Sequence, residues 1–269
     1  MPENAKPDER RLLIVIATYN ERESLPELVE LLLEQLPFSQ LLVIDDNSPD
    51  GTGEWCRQAA ADDERISVTH RSGKLGLGSA TILGLKHAQE YSFQWVATLD
   101  ADLSHDPATL RTMWDSYCDN APADKSGHAG VVIGSRYVPG GKIVGWPWYR
   151  RLSSFLVNWF SQLALGLPSK DNTSAFRIYQ VESLHEIDLS SIKSKGYSYL
   201  EEILLLLSQH GIKFVEHPII FRDRELGHSK VDIRELVRSL GQILRLARES
   251  RIAGRKTAAG IALLLGTFT

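Results

Sequence analysis

The sequence predicts an α/β protein with a mostly parallel central sheet flanked by helices, and three observations carry that prediction. Short β-branched runs alternate with helical patterns through the first half of the chain. These runs are apolar throughout, as in strands covered on both faces. Each gives way to a polar loop rich in Gly, Asp or Asn, the arrangement that places ligands beyond the carboxyl ends of parallel strands.

Residues 11–17 (RLLIVIA) form the first run. Ser24 and Glu27 then spell a capping box, with Leu25, Leu28, Leu32 and Leu36 at helical spacing. Further strands are expected at 40–45, 66–69, 94–99 and 130–134, separated by helices near 52–61, 79–90 and 107–118. After residue 150 the expected order is a helix at 150–165, a short strand over Phe176 to Tyr179, a helix at 198–209 and a strand at 212–221. From Asp232 to Lys256 an amphipathic helix is expected, with Ile233, Leu236, Val237, Leu240, Ile243, Leu244 and Ala247 on one stripe. Seven Lys/Arg against three Asp/Glu make it locally basic, which suits a membrane surface and equally suits packing on the core with a solvated basic face. The chain thus divides into an α/β domain over 1–231 and a segment, 232–269, of amphipathic helix and apolar tail.

With 269 residues, 43% hydrophobic and 24% charged, the composition excludes disordered, collagen-like and disulfide-scaffold classes. A formal net charge of -4 supplies no basic field for nucleic acid, so anionic partners must be met locally. Cys56 and Cys118 form no CxxC or Cys/His cluster and read as reduced thiols. The polar start, Met1 to Arg10, lacks a secretory pattern, and no stretch reaches the ~20 apolar residues of a membrane span. The expectation is a cytoplasmic chain.

The loops carry the chemistry. Asp100 and Asp102 end an apolar strand, and a two-residue period points both carboxylates one way. Paired oxygen ligands suit Mg2+ or Mn2+, although the same aspartates could cap a helix before Pro107. Asp45 and Asp46 end another strand, where a carboxylate can accept bonds from ribose or base; a polar turn is the other reading. Arg71 to Ser79 (RSGKLGLGS) is glycine-rich and opens a helix, but it matches neither a P-loop nor GxGxxG, whose third glycine falls at Thr81. Arg136, Arg150, Arg151, Arg222, Arg224 and Lys230 lie in or beside loops and could grip phosphate. His105 reads as a loop residue, and no Ser, Cys or His constellation points to nucleophilic catalysis.

Taken together, ATYNE at 17–21, VIDDNSPDGT at 43–52, GKLGLGSA at 73–80, DADLSH at 100–105, IGSRYVPGGKIVGWPWYRRLSS at 133–154, DNTSAFRIY at 171–179 and RELGHSK at 224–230 resemble one family closely. The chain resembles the dolichol-phosphate (polyprenol-phosphate) mannose synthases of glycosyltransferase family 2, from about Leu12 to Arg248. The resemblance implies a GT-A (Rossmann-like) fold and inverting transfer of mannose from GDP-mannose to a polyprenyl (dolichyl) phosphate, assisted by Mg2+ or Mn2+. It implies that Ala17, Tyr19, Glu21, Ile44 and Asp46 serve the nucleoside pocket. Asp100, Ala101 and Asp102 would hold metal and nucleotide-sugar, with Ser104 standing where many members carry a Gln near the metal. Arg136 and Arg150 would face sugar or acceptor phosphate, Arg224 and Lys230 would clamp the diphosphate, and Glu202 falls where related transferases place an acceptor-side acid. Asp102, Arg136, Arg150 and Arg224 are thereby the candidate catalytic residues. Departures are Ala17 for a usual Pro, and Asn172 and Ala175 for the Pro and Gly of DPTSGF.

A phosphate oxygen is already an anion near neutral pH, so no strong general base is required. The implied partners are a nucleotide-sugar, a polyprenyl-phosphate lipid, the cytosolic face of a membrane to which the chain attaches peripherally, and a membrane-anchoring subunit or oligomer. Competing readings are transfer of glucose or ribose from a UDP-type donor to a lipid phosphate, and a catalytically idle nucleotide-binding subunit resting on a membrane.

Overall fold

β1 (Leu12–Thr18) shows why an unbroken apolar run becomes a central strand. Successive side chains point to opposite faces, so Leu13 and Val15 enter one core while Leu12, Ile14 and Ile16 enter another. Burying each such side chain contributes about 1.5–3 kcal/mol, and the run has no polar face to spare for water. In the computed structural model, which describes residues 11–119, 129–194, 196–223 and 237–250, the alternation continues. It runs through α1 (Leu25–Gln35), β2 (Gln40–Asp45), α2 (Thr52–Asp62), β3 (Ile66–His70), α3 (Leu77–Glu90), β4 (Trp95–Asp100), α4 (Pro107–Trp114) and β5 (Val131–Ser135). Then come β6 (Lys142–Val144), α5 (Trp148–Leu165), β7 (Arg177–Gln180), α6 (Val181–His185), α7 (Tyr199–Gln209), β8 (Phe214–Pro218) and β9 (Ile220–Arg222).

The main sheet has the order β3-β2-β1-β4-β7-β5-β8. β1 pairs in parallel with β2 and β4, β2 with β3, and β5 with β8. β7 runs antiparallel between β4 and β5, so the sheet is mostly parallel, as expected. α3 lies so close to β1 that a Cβ on Gly84 would fall 2.3 Å from Val15 Cγ1, a contact only glycine permits.

Three local expectations are corrected. Ser24 precedes α1, but its hydroxyl makes no capping bond to the helix; it donates to Glu21 Oε2 at 2.9 Å, and Pro26 occupies the first turn instead. The strand expected at 212–221 is two strands. Pro218 offers no N–H, the Ile219 N–H donates to Ser135 O (3.0 Å), and Ile219 O accepts from Lys142 N (2.9 Å), so the chain steps into a two-stranded sheet of β6 and β9. The helix expected to reach residue 118 ends at Trp114 and continues as a π-helical turn, Asp115–Asp119.

Of the expected amphipathic segment, 237–250 is described and is helical. Ile243, Leu246 and Ala247 are buried, and Leu246 joins the core shared with β1 and α7, while Val237 and Leu244 remain exposed. This stretch therefore packs on the domain with one side. Ile233, Leu236 and the apolar tail lie outside the described residues.

Candidate active site

Register brings the chemistry to one rim. Ala17 pairs with Asp100 and Thr18 with Asp45, so three parallel strands end at the same level. Asp46 N–H donates to Thr18 O at 3.0 Å, carrying the Asp46 side chain over that edge. Two cavities open there. One, about 240 Å³, lies above β1 and β2 and is lined by Ala17, Tyr19, Glu21, Asp46, Lys74 and Ala101, among others. The other, about 220 Å³, lies against α5 and includes Arg136, Trp146, Arg150, Ser153, Thr173 and Phe221 in its wall. Asp100, Asp102 and Tyr197 line both.

Both aspartates face the cleft, although not by strand alternation. β4 stops at Asp100 and the chain turns: Leu103 sits at φ +60°, and Ser104 N–H donates to Asp102 Oδ1 at 3.1 Å, an Asx turn. The alternative role, capping the next helix, belongs to Asp106, whose carboxylate accepts from Ala108 N at 2.9 Å. His105 is buried, stacked on Phe176 at 4.7 Å, and its Nδ1 accepts the Asp100 N–H at 3.2 Å. Burial pushes its pKa down to about 4, so the imidazole is neutral and acts as a fixed acceptor that holds the turn.

Two carboxylates with hard oxygen donors at the meeting point of two cavities fit Mg2+ or Mn2+. Among the described residues no group of three or more His, Cys, Asp or Glu forms a metal cluster. Ser104 does not extend the set. The turn at Leu103 carries it into the interior, where its hydroxyl is buried without a partner among the described residues, and it lines neither cavity. Water and substrate oxygens would complete the shell, as Mg2+ tolerates.

In the β1–β2 cavity the two aspartates of the DD pair divide the roles. Asp45 holds the turn, accepting from Ser48 Oγ at 2.5 Å and from Ser48 N at 3.2 Å. Asp46 lines the cavity, pairs with Arg71 and accepts the Gly76 N–H at 2.9 Å. Arg71 also donates to Gly76 O (3.0 Å) and Ser79 Oγ (2.7 Å), so the glycine-rich loop is fastened to the rim. Gly76 adopts φ +97°, which a side chain would disfavour. Lys74 Nζ sits 3.9 Å from the centroid of the Tyr19 ring and brings a cation to this wall. Ile44 is the expected residue that fails to reach it: it is buried in the core one residue pair short of the rim.

In the α5 cavity both expected arginines are present and both are already paired. Arg136 donates to Asp171 through Nε (2.7 Å), Nη2 (2.6 Å) and its backbone N–H (2.9 Å). Burial opposes its charge, and the Asp171 carboxylate more than offsets this, holding the guanidinium pKa above its usual range. Arg150 donates to both oxygens of Asp223 at 3.0 and 3.1 Å and lies 4.0 Å above the Trp146 ring. Asn158 on α5 accepts the N–H groups of Asn172 (2.7 Å) and Thr173 (3.2 Å), fixing the 171–174 loop. Asn172 thus makes a bond that a Pro at this position could not.

Glu202 lines neither cavity. It is buried on α7 and accepts from Ser194 N (2.8 Å) and Lys193 N (3.2 Å), so its work is to hold that loop. Arg224 and Lys230 lie outside the described residues. Tyr197 and Phe221 lie in no motif, while Lys74, Trp146 and Asp171 lie inside motif segments without being singled out, so the place of all five is found only once the chain is folded.

Comparison with known proteins accords with this geometry. The chain is 38% identical over 251 residues to the undecaprenyl-phosphate mannosyltransferase of Micrococcus luteus, covering 93% of this chain and all of that one. It is 40% identical over 238 residues to the polyprenol monophosphomannose synthase of Mycolicibacterium smegmatis, covering 87% and 86%. Among solved structures, glucosyl-3-phosphoglycerate synthase from Mycobacterium tuberculosis, in complex with Mn2+, UDP and phosphoglyceric acid, superposes with a TM-score of 0.58 at 17% identity, over 88% of this chain and 77% of that one. That likeness is one of fold, the GT-A glycosyltransferase fold. Residues 13–188 match the pattern of glycosyl transferase family 2, and with relatives this similar over most of its length the chain belongs to that family.

Proposed function

We propose that this protein transfers mannose from GDP-mannose to a polyprenyl phosphate such as dolichyl or undecaprenyl phosphate, with inversion at the anomeric carbon. The observation that carries the reading is the meeting of two cavities at Asp100 and Asp102, in a chain whose relatives are named for polyprenol-phosphate mannose synthesis. The β1–β2 cavity takes the nucleotide, with Asp46, Tyr19 and Glu21 toward the nucleoside and Lys74 toward phosphate. The α5 cavity takes the acceptor phosphate.

A divalent cation held by Asp100 and Asp102 would offset the charge that gathers on the departing diphosphate. The acceptor phosphate oxygen forms the new bond to the anomeric carbon while the bond to the diphosphate breaks and its electron pair leaves with GDP; no proton moves. The His105 Nδ1 lone pair is already taken by the Asp100 N–H, so the imidazole serves the turn rather than a proton transfer, consistent with a reaction that needs no base. Arg136 and Arg150 are held rigid by Asp171 and Asp223, so they present preset donors rather than mobile charges. Arg224 and Lys230 are assigned to the leaving diphosphate, from a segment that begins directly after Asp223 in the cavity wall.

The acceptor's lipid tail calls for a membrane surface beside the α5 cavity, and α5 supplies one. Trp148, Tyr149, Leu152, Phe155, Trp159 and Leu163 are exposed, Trp148 by 74% and Leu163 by 67%. The helix carries Arg150 and Arg151 and no acidic residue, while Ser153, Ser154 and Val157 on its other side line the cavity. Such a helix lies in a membrane interface with its apolar face down. Among the described residues no helix is long and apolar enough to cross a membrane.

The test is a donor panel: purified protein, undecaprenyl phosphate in vesicles, Mn2+, and either GDP-mannose or UDP-glucose. The expected product is polyprenyl-phosphate mannose with β anomeric configuration. Preference for UDP-glucose would replace the donor assignment, and binding of nucleotide without transfer from any donor would favour an idle subunit.

A further inference from the structure

We propose that the Tyr197 ring holds the sugar during its passage from donor to acceptor and so sets which sugar is transferred. The inference rests on the sugar-transfer reading above and goes beyond it. Among the described residues, Asp100, Asp102 and Tyr197 are common to the walls of both cavities. The two carboxylates face the diphosphate, and the sugar attached to that diphosphate must lie where the cavities join. Among the described residues, Tyr197 is the remaining side chain at that junction.

Its placement is enforced. Tyr197 is 52% exposed, yet the turn that carries it is anchored on both flanks. Upstream, Glu202 accepts the Ser194 N–H at 2.8 Å, and Gly196 takes φ +66°, which reverses the chain. Downstream, buried Tyr199 shares a hydrogen bond of 3.0 Å with Thr81, and its ring lies 2.8 Å from where a Gly78 Cβ would be. The turn is therefore registered against the start of α3, where the glycine-rich loop ends. A large aromatic ring held half in solvent at this junction presents an apolar face, and the C–H face of a pyranose is its natural complement. Epimers differ in which face bears axial hydroxyls, so stacking of this kind discriminates between them.

The experiment compares the wild type with Tyr197→Phe and Tyr197→Ala. Affinity for GDP and for GDP-mannose is measured by calorimetry with Mn2+ present, and transfer to undecaprenyl phosphate is measured with GDP-mannose and GDP-glucose. Tyr197→Ala is expected to bind GDP within about twofold of wild type, to lose about tenfold or more in kcat/KM for mannose transfer, and to narrow the mannose-to-glucose ratio. Tyr197→Phe keeps the ring and is expected to stay within about threefold on every readout. Equal losses in GDP affinity and in transfer would make the residue merely structural and overturn the inference. So would wild-type transfer by Tyr197→Ala, or a Phe variant as impaired as the Ala variant. A wild type that binds GDP but transfers sugar from neither donor removes the underlying reading, and the inference falls with it.

Discussion

Replacing Asp171 by Ala leaves the Arg136 guanidinium buried without its counter-charge. Three bonds of 2.6 to 2.9 Å disappear at once, and Asp171 is wholly enclosed, so water cannot enter to take its place without rearrangement. Summing charge-assisted bonds one by one would overstate the effect; breaking one partner of a buried pair costs about 3–5 kcal/mol. That is a large share of the ~5–15 kcal/mol by which a domain is stable. In urea titrations followed by circular dichroism, with a slope of about 3 kcal/mol per molar, the midpoint should fall by roughly 1–2 M. The double variant Arg136→Met, Asp171→Leu removes both charges and should recover a substantial part of the loss, because no orphaned ion remains. A single-variant loss below about 1 kcal/mol, or a double variant less stable than Asp171→Ala, would show that the pair is not the desolvated clamp described.

Three further outcomes follow from the same geometry. Burial on α7 pushes Glu201 from 4.5 up to about 7, and its Oε1 has no hydrogen-bond partner among the described residues. The folded state then holds a proton the unfolded chain releases, so stability is greatest below the unfolded value and falls as pH rises toward about 7, by at most roughly 3 kcal/mol. Glu201→Gln should melt above wild type at pH 8 and match it near pH 4.5; parallel melting curves across that window would exclude this. Asp102→Ala should retain the fold, read by circular dichroism, while losing at least about a hundredfold in mannose transfer; near-wild-type turnover in the presence of chelator would contradict the assignment. Exchanging Trp148, Phe155 and Trp159 for Ser should sharply reduce co-sedimentation with anionic vesicles while transfer to a short, water-soluble polyprenyl phosphate persists; undiminished sedimentation would move the membrane contact off α5.

Much of the fold was legible because the central strands announce themselves. β1 and β2 are buried on both faces, so their apolar runs have no competing reading. Strand direction has no such signature: nothing in the four residues of β7 says that they run against their neighbours. β6 and β9 are three residues each and half exposed, below the length at which periodicity exists. The site was legible to the same extent. Asp100 and Asp102 stand out as a local motif, although the turn at Leu103 rather than the strand period aims them. Arg136 was visible as a loop cation, but its partner Asp171 is 35 residues away, and only folding reveals that the charge is already satisfied. Glu202 resembled an acceptor-side acid by position and proves to hold a loop. Tyr197 belongs to no spacing rule and matters through the two walls it joins, and Lys74, although inside the glycine-rich loop, reveals its place over the Tyr19 ring only on folding.

The most direct test titrates Mn2+ into the protein with GDP present, followed by electron paramagnetic resonance, in the wild type and in Asp100→Asn with Asp102→Asn. The wild type should take up one Mn2+ per chain with affinity raised by GDP, and the double variant should lose both the uptake and the enhancement. Retention of a GDP-enhanced Mn2+ site in the double variant would mean that the ion and the diphosphate are gripped elsewhere.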